Sequence, residues 1–300
     1  MATLVGRTAI VTGGGRGLGR EHALLLAKLG ANVVVNDNGA ASDGSADSAT
    51  PADEVVAEIS ARGGNAIAHV GSVSNWDQAD EMVQLAVGHF GGLDILVNNA
   101  GILRDRMLVN MSESEWDSVM DVHLKGHFCP LRSAANHWRR EAKAGNTVAG
   151  SVINTSSPSG LRGNPGQLNY AAAKAGIAAM TVIAARELER YGVRVNAIAP
   201  VARTRLTLST PGFAELDAAT SGFDVFDPGN ISPLVAYLAT ANCQISGQVF
   251  SVKGGHIGWE RGWTEQSAYD KDSRWTVDEL ATALSEIPSG APAYESSLQN

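Results

Sequence analysis

The stretch TAIVTGGGRGLGREHALLLAKLGA, residues 8–31, decides how the rest of the chain is read. It opens with the β-favouring run TAIVT (8–12), turns through a glycine cluster, and continues as GREHALLLAKLGA (19–31) with apolar residues three and four apart. A strand, a glycine turn and a helix in that order make the first part of a crossover unit. In that context Thr12-Gly13-Gly14-Gly15-Arg16-Gly17-Leu18-Gly19 predicts a phosphate-binding turn. Gly13 permits the tight turn, Gly17 the approach of a pyrophosphate and Gly19 the packing of helix on strand, while the helix N-terminus offers N–H donors.

Working outward, similar short runs recur: NVVVND (32–37), AIAHV (66–70), LDILVNN (93–99), SVINTSS (151–157), VRVNAIAP (193–200) and QVFSV (248–252). Several are apolar at nearly every residue, the pattern of strands covered on both faces and therefore of a parallel sheet. Between them, ADEVVAEISARGG (52–64) and WDQADEMVQLAVGHFGG (76–92) carry helical periodicity and end near glycine. The expected fold is α/β: a single-domain, Rossmann-type, doubly wound parallel sheet of seven strands with helices on both faces. Its ligand site lies beyond the carboxyl ends of the strands. The domain is expected over residues 1–256, with NGAASDGSADSATP (38–51) as a loop after the second strand. Residues 257–300 form an extension with Trp259, Trp263, Trp275 and a helical VDELATALSEI (277–287). That much apolar surface is expected to pack on the domain or on a neighbouring subunit.

Bulk properties exclude several classes. The 300 residues are 44% hydrophobic and 18% charged, enough for one large core. A net charge of -8 argues against nucleic acid or anionic membrane as the main partner. No stretch approaches ~20 uncharged apolar residues, so no membrane span is expected. The start carries no leader pattern, and Cys129 and Cys243 are too few and too distant for a disulfide framework or thiolate metal site. A cytoplasmic location and no metal are expected.

The chemistry-bearing residues come later. Tyr170 and Lys174 stand four apart in NYAAAKAG (169–176), thirteen residues after Ser157. Residues four apart share a helix face, so phenol and ammonium can act on one small volume. Tyrosine titrates near pH ~10, and a neighbouring positive charge is expected to lower that value toward the useful range for acid–base chemistry. Ser157 is placed to hold a substrate oxygen, although in TSSPSG (155–160) it reads also as a turn cap. Asp37, at the end of the second strand, can accept from both adenosine ribose hydroxyls and repel a 2′-phosphate, which favours NAD over NADP. Arg16, inside the glycine turn, argues the other way.

These motifs in order, TGGGRGLG (12–19), NNAG (98–101), Ser157, Tyr170, Lys174 and NAIAP (196–200), resemble the short-chain dehydrogenase/reductase family from about residue 5 to 256. RGG (62–64), NNAGILRDR (98–106), VHLKGHF (122–128) and GNPGQLNYAAAK (163–174) resemble more narrowly the (3R)-hydroxyacyl-CoA dehydrogenase region of peroxisomal multifunctional enzymes, a subgroup placed also with 17β-hydroxysteroid dehydrogenases. The resemblance implies a catalytic set of Ser157, Tyr170 and Lys174. It implies cofactor contacts from Thr12, Gly13, Arg16, Gly17, Leu18, Gly19 and Asp37, from Ser72 and Val73 at the adenine, and from Asn98, Asn99, Ala100 and Gly101. Tyr170 and Lys174 then contact the cofactor too, as do Pro200, Ala202 and Thr204 near the carboxamide. His123 stands where many members place a catalytic asparagine, and Val201 where a glycine often follows the proline.

The expected reaction is NAD-dependent oxidation of a secondary alcohol, with a 3-hydroxyacyl-CoA, including one derived from a steroid side chain, as substrate. A hydroxysteroid or other secondary-alcohol dehydrogenase, an NADPH-dependent 3-oxoacyl-carrier-protein reductase and a nonenzymatic NAD-binding regulator remain the alternatives. Residues 204–228, with Leu206, Leu208, Phe213, Leu216, Phe223 and Phe226, are expected either to form a lid over an apolar substrate or to be an ordinary surface segment. Arg104 or Arg162 is a candidate for a CoA phosphate. Apolar stripes over 115–143 and 168–190 predict a homodimer or homotetramer.

Overall fold

The computed structural model describes residues 3–40, 51–208 and 222–288. Most of the loop 38–51, most of the lid-like segment 204–228 and the last twelve residues lie outside the described residues. The chain divides into two units, Met1–Glu260 and Arg261–Asn300.

The first unit alternates strands and helices: β1 (Thr8–Thr12), α1 (Gly17–Lys28), β2 (Asn32–Asn36), α2 (Pro51–Ala61), β3 (Asn65–His69), α3 (Trp76–Phe90), β4 (Ile95–Asn98), α4 (Glu113–Met120), α5 (Gly126–Lys143), β5 (Gly150–Thr155), α6 (Pro158–Arg162), α7 (Leu168–Leu188), β6 (Val193–Pro200), α8 (Arg205–Leu208), α9 (Ser232–Ala239), β7 (Val249–Lys253) and β8 (His256–Glu260). The strand order is β3-β2-β1-β4-β5-β6-β7-β8, with the order reversing beside β1 as in a doubly wound sheet. The first seven strands are parallel, as expected. Among the described residues the count is not seven but eight, because β8 turns back through Gly254 and Gly255 and pairs antiparallel with β7. A two-glycine hairpin matches the right-handed twist of its strands.

Alternation within β2 shows why the parallel strands read as unbroken apolar runs. Val33 and Val35 join a core with Leu26, Val235 and Leu238 on one face, while Val34 joins Ile10, Met82, Leu96 and Trp138 on the other. Trp138 is 1% exposed and its indole N–H donates to Leu93 O at 2.6 Å.

Local signals set the helix ends. Asn75 caps α3 by accepting from Asp77 N and Gln78 N, and Ser112 with Glu115 forms a capping box on α4. The stripe read as continuous over 115–143 is broken by a π-helical turn, Asp121–Lys125, between α4 and α5. Among the described residues one segment, Leu168–Tyr191, is long and apolar enough to cross a membrane by length and composition. It contains α7, whose Ile177, Ala184 and Leu188 are buried within the fold. In the second unit, α10 (Val277–Ala283) is capped by a Thr276–Glu279 box, and Lys271 pairs with Glu279.

Candidate active site

The carboxyl ends of β1, β2, β4, β5 and β6 open into a cleft. One end is lined by Gly13, Arg16, Gly17, Leu18 and Asp37, the other by Thr155, Ser156, Tyr170 and Lys174. Ser72, Val73, Asn99, Ala100, Gly101, Pro200, Ala202 and Thr204 complete the walls, so most of the sequence-predicted contacts converge on one space.

The glycine end is shaped by what cannot fit there. A Cβ on Gly19 would lie 2.1 Å from Gly13 O, and Gly17 has φ +53°, favoured by a residue without a side chain. Arg16 precedes α1 without a side-chain cap, and the first turn holds no acidic residue, so the positive helix end remains available to an anion. Asp37 is held by both oxygens: Gly15 N donates to Oδ2 at 3.0 Å and Gly39 N to Oδ1 at 2.8 Å.

Three expected cofactor contacts, and the expected catalytic Ser157, do not line the cleft wall. Thr12 Oγ1 accepts from Asn99 N at 2.9 Å and Ala100 N at 3.2 Å, tying the NNAG segment to the glycine turn. Gly19 lies against Gly13 and the Asn99 side chain. Asn98 is fully buried, its amide donating to Asn154 Oδ1 at 3.0 Å, because it belongs to the sheet rather than to the loop beyond it. Conversely, Asn36 and Thr155 line the cleft and were not singled out from the sequence. Asn36 donates to Gly71 O at 2.9 Å. Its position just before Asp37, at a strand end, was the available signal.

At the other end, α7 places Tyr170 and Lys174 one turn apart, with the Lys174 ammonium 5.5 Å from the phenol centroid and donating to Thr155 O at 2.6 Å. Ser157 stands beside Tyr170 and lowers its pKa, while its hydroxyl accepts from Ser159 N at 3.2 Å, so it is a turn cap as well. Burial dominates the electrostatics. It pushes the Tyr170 phenol up to about 12, with Ser157 lowering it and Asp105 raising it. It pushes Lys174 down to about 7. The expected lowering of the tyrosine by the lysine is therefore not the dominant effect; burial is.

His123 lies on the π-helical turn, 1% exposed, with Nε2 2.7 Å from Ile102 O and its ring edge-on to Tyr170 at 5.1 Å between centroids. Burial, then the Lys174 charge, hold its pKa well below the usual value, so it is a neutral, hydrogen-bonded ring. Arg162 is engaged with Glu260 in an ion pair, and Val201 is buried.

Comparison with known proteins agrees with this geometry. A profile for short chain dehydrogenases matches residues 7–208. The chain belongs to the short-chain dehydrogenase family. It is an oxidoreductase acting on CH–OH groups with a nicotinamide cofactor. It is 46% identical over 297 residues to the hydroxyacyl-CoA dehydrogenase ChsB1 of Mycobacterium tuberculosis, covering 98% of this chain and 92% of that one. It is 39% identical over 259 residues to the peroxisomal multifunctional enzyme type 2 of Mus musculus, covering 85% of this chain and 33% of that protein. A crystal structure of a short chain dehydrogenase from Mycobacterium avium superposes with a TM-score of 0.85 at 49% identity, covering 95% of each chain.

The residues present fit such a cofactor. Asn36 Oδ1 and Thr155 Oγ1 are buried without a protein partner although both residues line the cleft. A buried polar atom left unpaired is costly, and a hydrogen-bonding ligand in the cleft removes that cost.

Proposed function

We propose that this chain oxidises a 3-hydroxyacyl-CoA to the 3-oxoacyl-CoA with NAD, using Ser157, Tyr170 and Lys174. The observation that carries the reading is the meeting of Tyr170 and Lys174 at one end of a cleft, with Ser157 beside Tyr170, while the other end presents Asp37 and a helix N-terminus without a side-chain cap. The acyl-CoA substrate is supported by the near full-length similarity to a hydroxyacyl-CoA dehydrogenase. NAD over NADP is supported by Asp37, whose carboxylate repels a 2′-phosphate while its remaining lone pairs can accept ribose hydroxyls.

A nicotinamide cofactor held by Gly13, Gly17, Asp37, Tyr170 and Lys174 would supply the hydride acceptor for the carbinol carbon. Tyr170 takes the hydroxyl proton in the oxidative direction and returns it in the reverse one. Ser157 donates to the substrate oxygen as negative charge grows there. Lys174 contributes positive charge beside the phenol, and its anchorage on Thr155 O fixes where that charge stands. Because burial opposes the phenolate, proton transfer draws on every nearby positive charge and on Ser157.

The exposed Phe128 borders an apolar groove with Met120, Leu124 and Met180, which supports a homodimer or homotetramer, measurable by light scattering. The main test is reduced-nicotinamide formation with NAD or NADP and (3R)- or (3S)-hydroxyacyl-CoA. Turnover with NAD and one epimer supports the proposal. Silence on every thioester with turnover of free steroid alcohols overturns the substrate, and a preference for NADP overturns the cofactor.

A further inference from the structure

The segment after β4 is fastened to the start of α7 and the loop before it at three successive residues. Asn169 Nδ2 donates to Arg104 O at 3.0 Å, Gln167 Nε2 donates to Asp105 Oδ2 at 2.8 Å, and Arg106 N donates to Gly166 O at 2.8 Å. The first and last of these engage main-chain atoms of the 104–106 segment. The middle one is a side-chain pair joining residues 62 apart in sequence. Gln167 is 6% exposed and its oxygen accepts from Ser159 Oγ at 2.8 Å and from Asn164 Nδ2 at 2.8 Å. Ser159 in turn donates its backbone N–H to Ser157 Oγ. A line of hydrogen bonds therefore runs from the Asp105 carboxylate through Gln167 and Ser159 to the Ser157 hydroxyl, which stands beside Tyr170.

We propose that Asp105 is a positioning residue of the reaction: it orients Gln167, and through Gln167 and Ser159 it holds the Ser157 hydroxyl against Tyr170. The inference rests on the reading of Ser157 and Tyr170 given above. The chemistry of an amide explains why an anion suits the end of the line. Gln167 has two donor hydrogens and one acceptor oxygen, and it can be flipped unless one end is chosen. A carboxylate can only accept, so it selects the –NH₂ end and commits the oxygen to Ser159 and Asn164. Ser159 then spends its hydroxyl proton on Gln167 and keeps its backbone N–H for Ser157.

The same carboxylate acts on Tyr170 through space. The groups facing the phenol are Ser157, which lowers its pKa; His123, edge-on and neutral; Lys174; and Asp105. Around Asp105, Arg106 is engaged with Glu115 at 3.0 Å. Among these groups the negative charge of Asp105 works against the phenolate, so removing it favours phenolate. Asp105 is exposed, and solvent screening makes the effect modest in size but fixed in sign.

Asp105→Ala, Asp105→Asn, Gln167→Leu and a Tyr170→Phe control separate the possibilities, each assayed for kcat, KM, thermal midpoint and the pH profile of kcat/KM for alcohol oxidation. Asp105→Ala and Gln167→Leu are expected to lower kcat about tenfold or more, the scale of one misplaced catalytic group, with a smaller change in KM. Asp105→Asn can still accept from Gln167, so it recovers part of that loss, and its acid limb moves to lower pH because the charge is gone. Wild-type kcat in Asp105→Ala or Gln167→Leu, an unmoved acid limb in Asp105→Asn, or losses that merely follow the thermal midpoint overturn the proposal. Tyr170→Phe distinguishes the two levels: retained turnover removes the proton-transfer reading and this inference with it, whereas an inactive Tyr170→Phe beside unaffected Asp105 variants removes this inference alone.

Discussion

Replacing Lys174 by methionine should make the ligand-free protein more stable while abolishing turnover. The lysine is 2% exposed, and burial lowers its pKa from 10.5 to about 7. The folded protein thus releases the proton near pH 7, while the unfolded chain holds it to about pH 10.5. Between those values the unfolded state binds more protons, so stability rises with pH. At about 1.4 kcal/mol per unit, the burial costs about 4 kcal/mol at pH 7. Methionine keeps the unbranched shape without the charge, and it forfeits the bond to Thr155 O, a loss of ~1–3 kcal/mol. The net expectation is a gain of ~1–3 kcal/mol at neutral pH. Urea unfolding at pH 7 and at about pH 9.5 is the assay; wild type should gain roughly 3 kcal/mol over that interval and the variant little. His123 and His127, both depressed by burial, titrate below this window, and Tyr170 above it. A variant less stable than wild type at pH 7, or one with the same pH slope, refutes the reasoning.

Gly19→Ala forces a Cβ to within 2.1 Å of Gly13 O and 2.6 Å of Asn99 Nδ2, so the glycine turn must open. Overpacking of that kind costs ~1–3 kcal/mol, and cofactor binding followed by fluorescence should weaken about tenfold or more. Asp37→Ala removes the acceptor of two loop amides as well as the repulsive charge, so NAD affinity should fall while the NAD-to-NADP ratio of kcat/KM drops; an unchanged ratio counts against the assignment. Trp138→Phe loses the bond to Leu93 O and should cost about 1 kcal/mol in urea unfolding with KM unaltered, because the indole lies in the core away from the cleft.

How much was legible follows from whether a feature is local. TAIVT and VRVNAIAP coincide with β1 and β6, since burial on both faces demands uninterrupted apolar runs. Ser157, Tyr170 and Lys174 announced themselves because helix spacing brings the last two together without help from the rest of the chain. The Asp105–Gln167 bond could not be read the same way, since only the assembled sheet brings those loops into contact. β8 was missed although Gly254-Gly255 between QVFSV and HIGWE is a hairpin signal, because HIGWE carries too few apolar residues to stand out. The π-helical turn was invisible for the opposite reason: the apolar stripe continues straight through it.

That turn makes the length of the chain, more than its composition, the sensitive quantity between α4 and α5. A π-helical turn arises where a helix accommodates one residue beyond the α-helical repeat, and Asp121–Lys125 does so with His123 in the middle. Deleting a single residue there would let the two helices merge into an ordinary one. Everything upstream would then rotate by about 100° relative to α5, the angle one residue subtends in an α-helix. His123 would leave Ile102 and Tyr170, and the segment holding Arg104 to Arg106 would lose its register with the loop before α7. A scan of single deletions across 113–143 should therefore show its sharpest loss of activity inside 121–125.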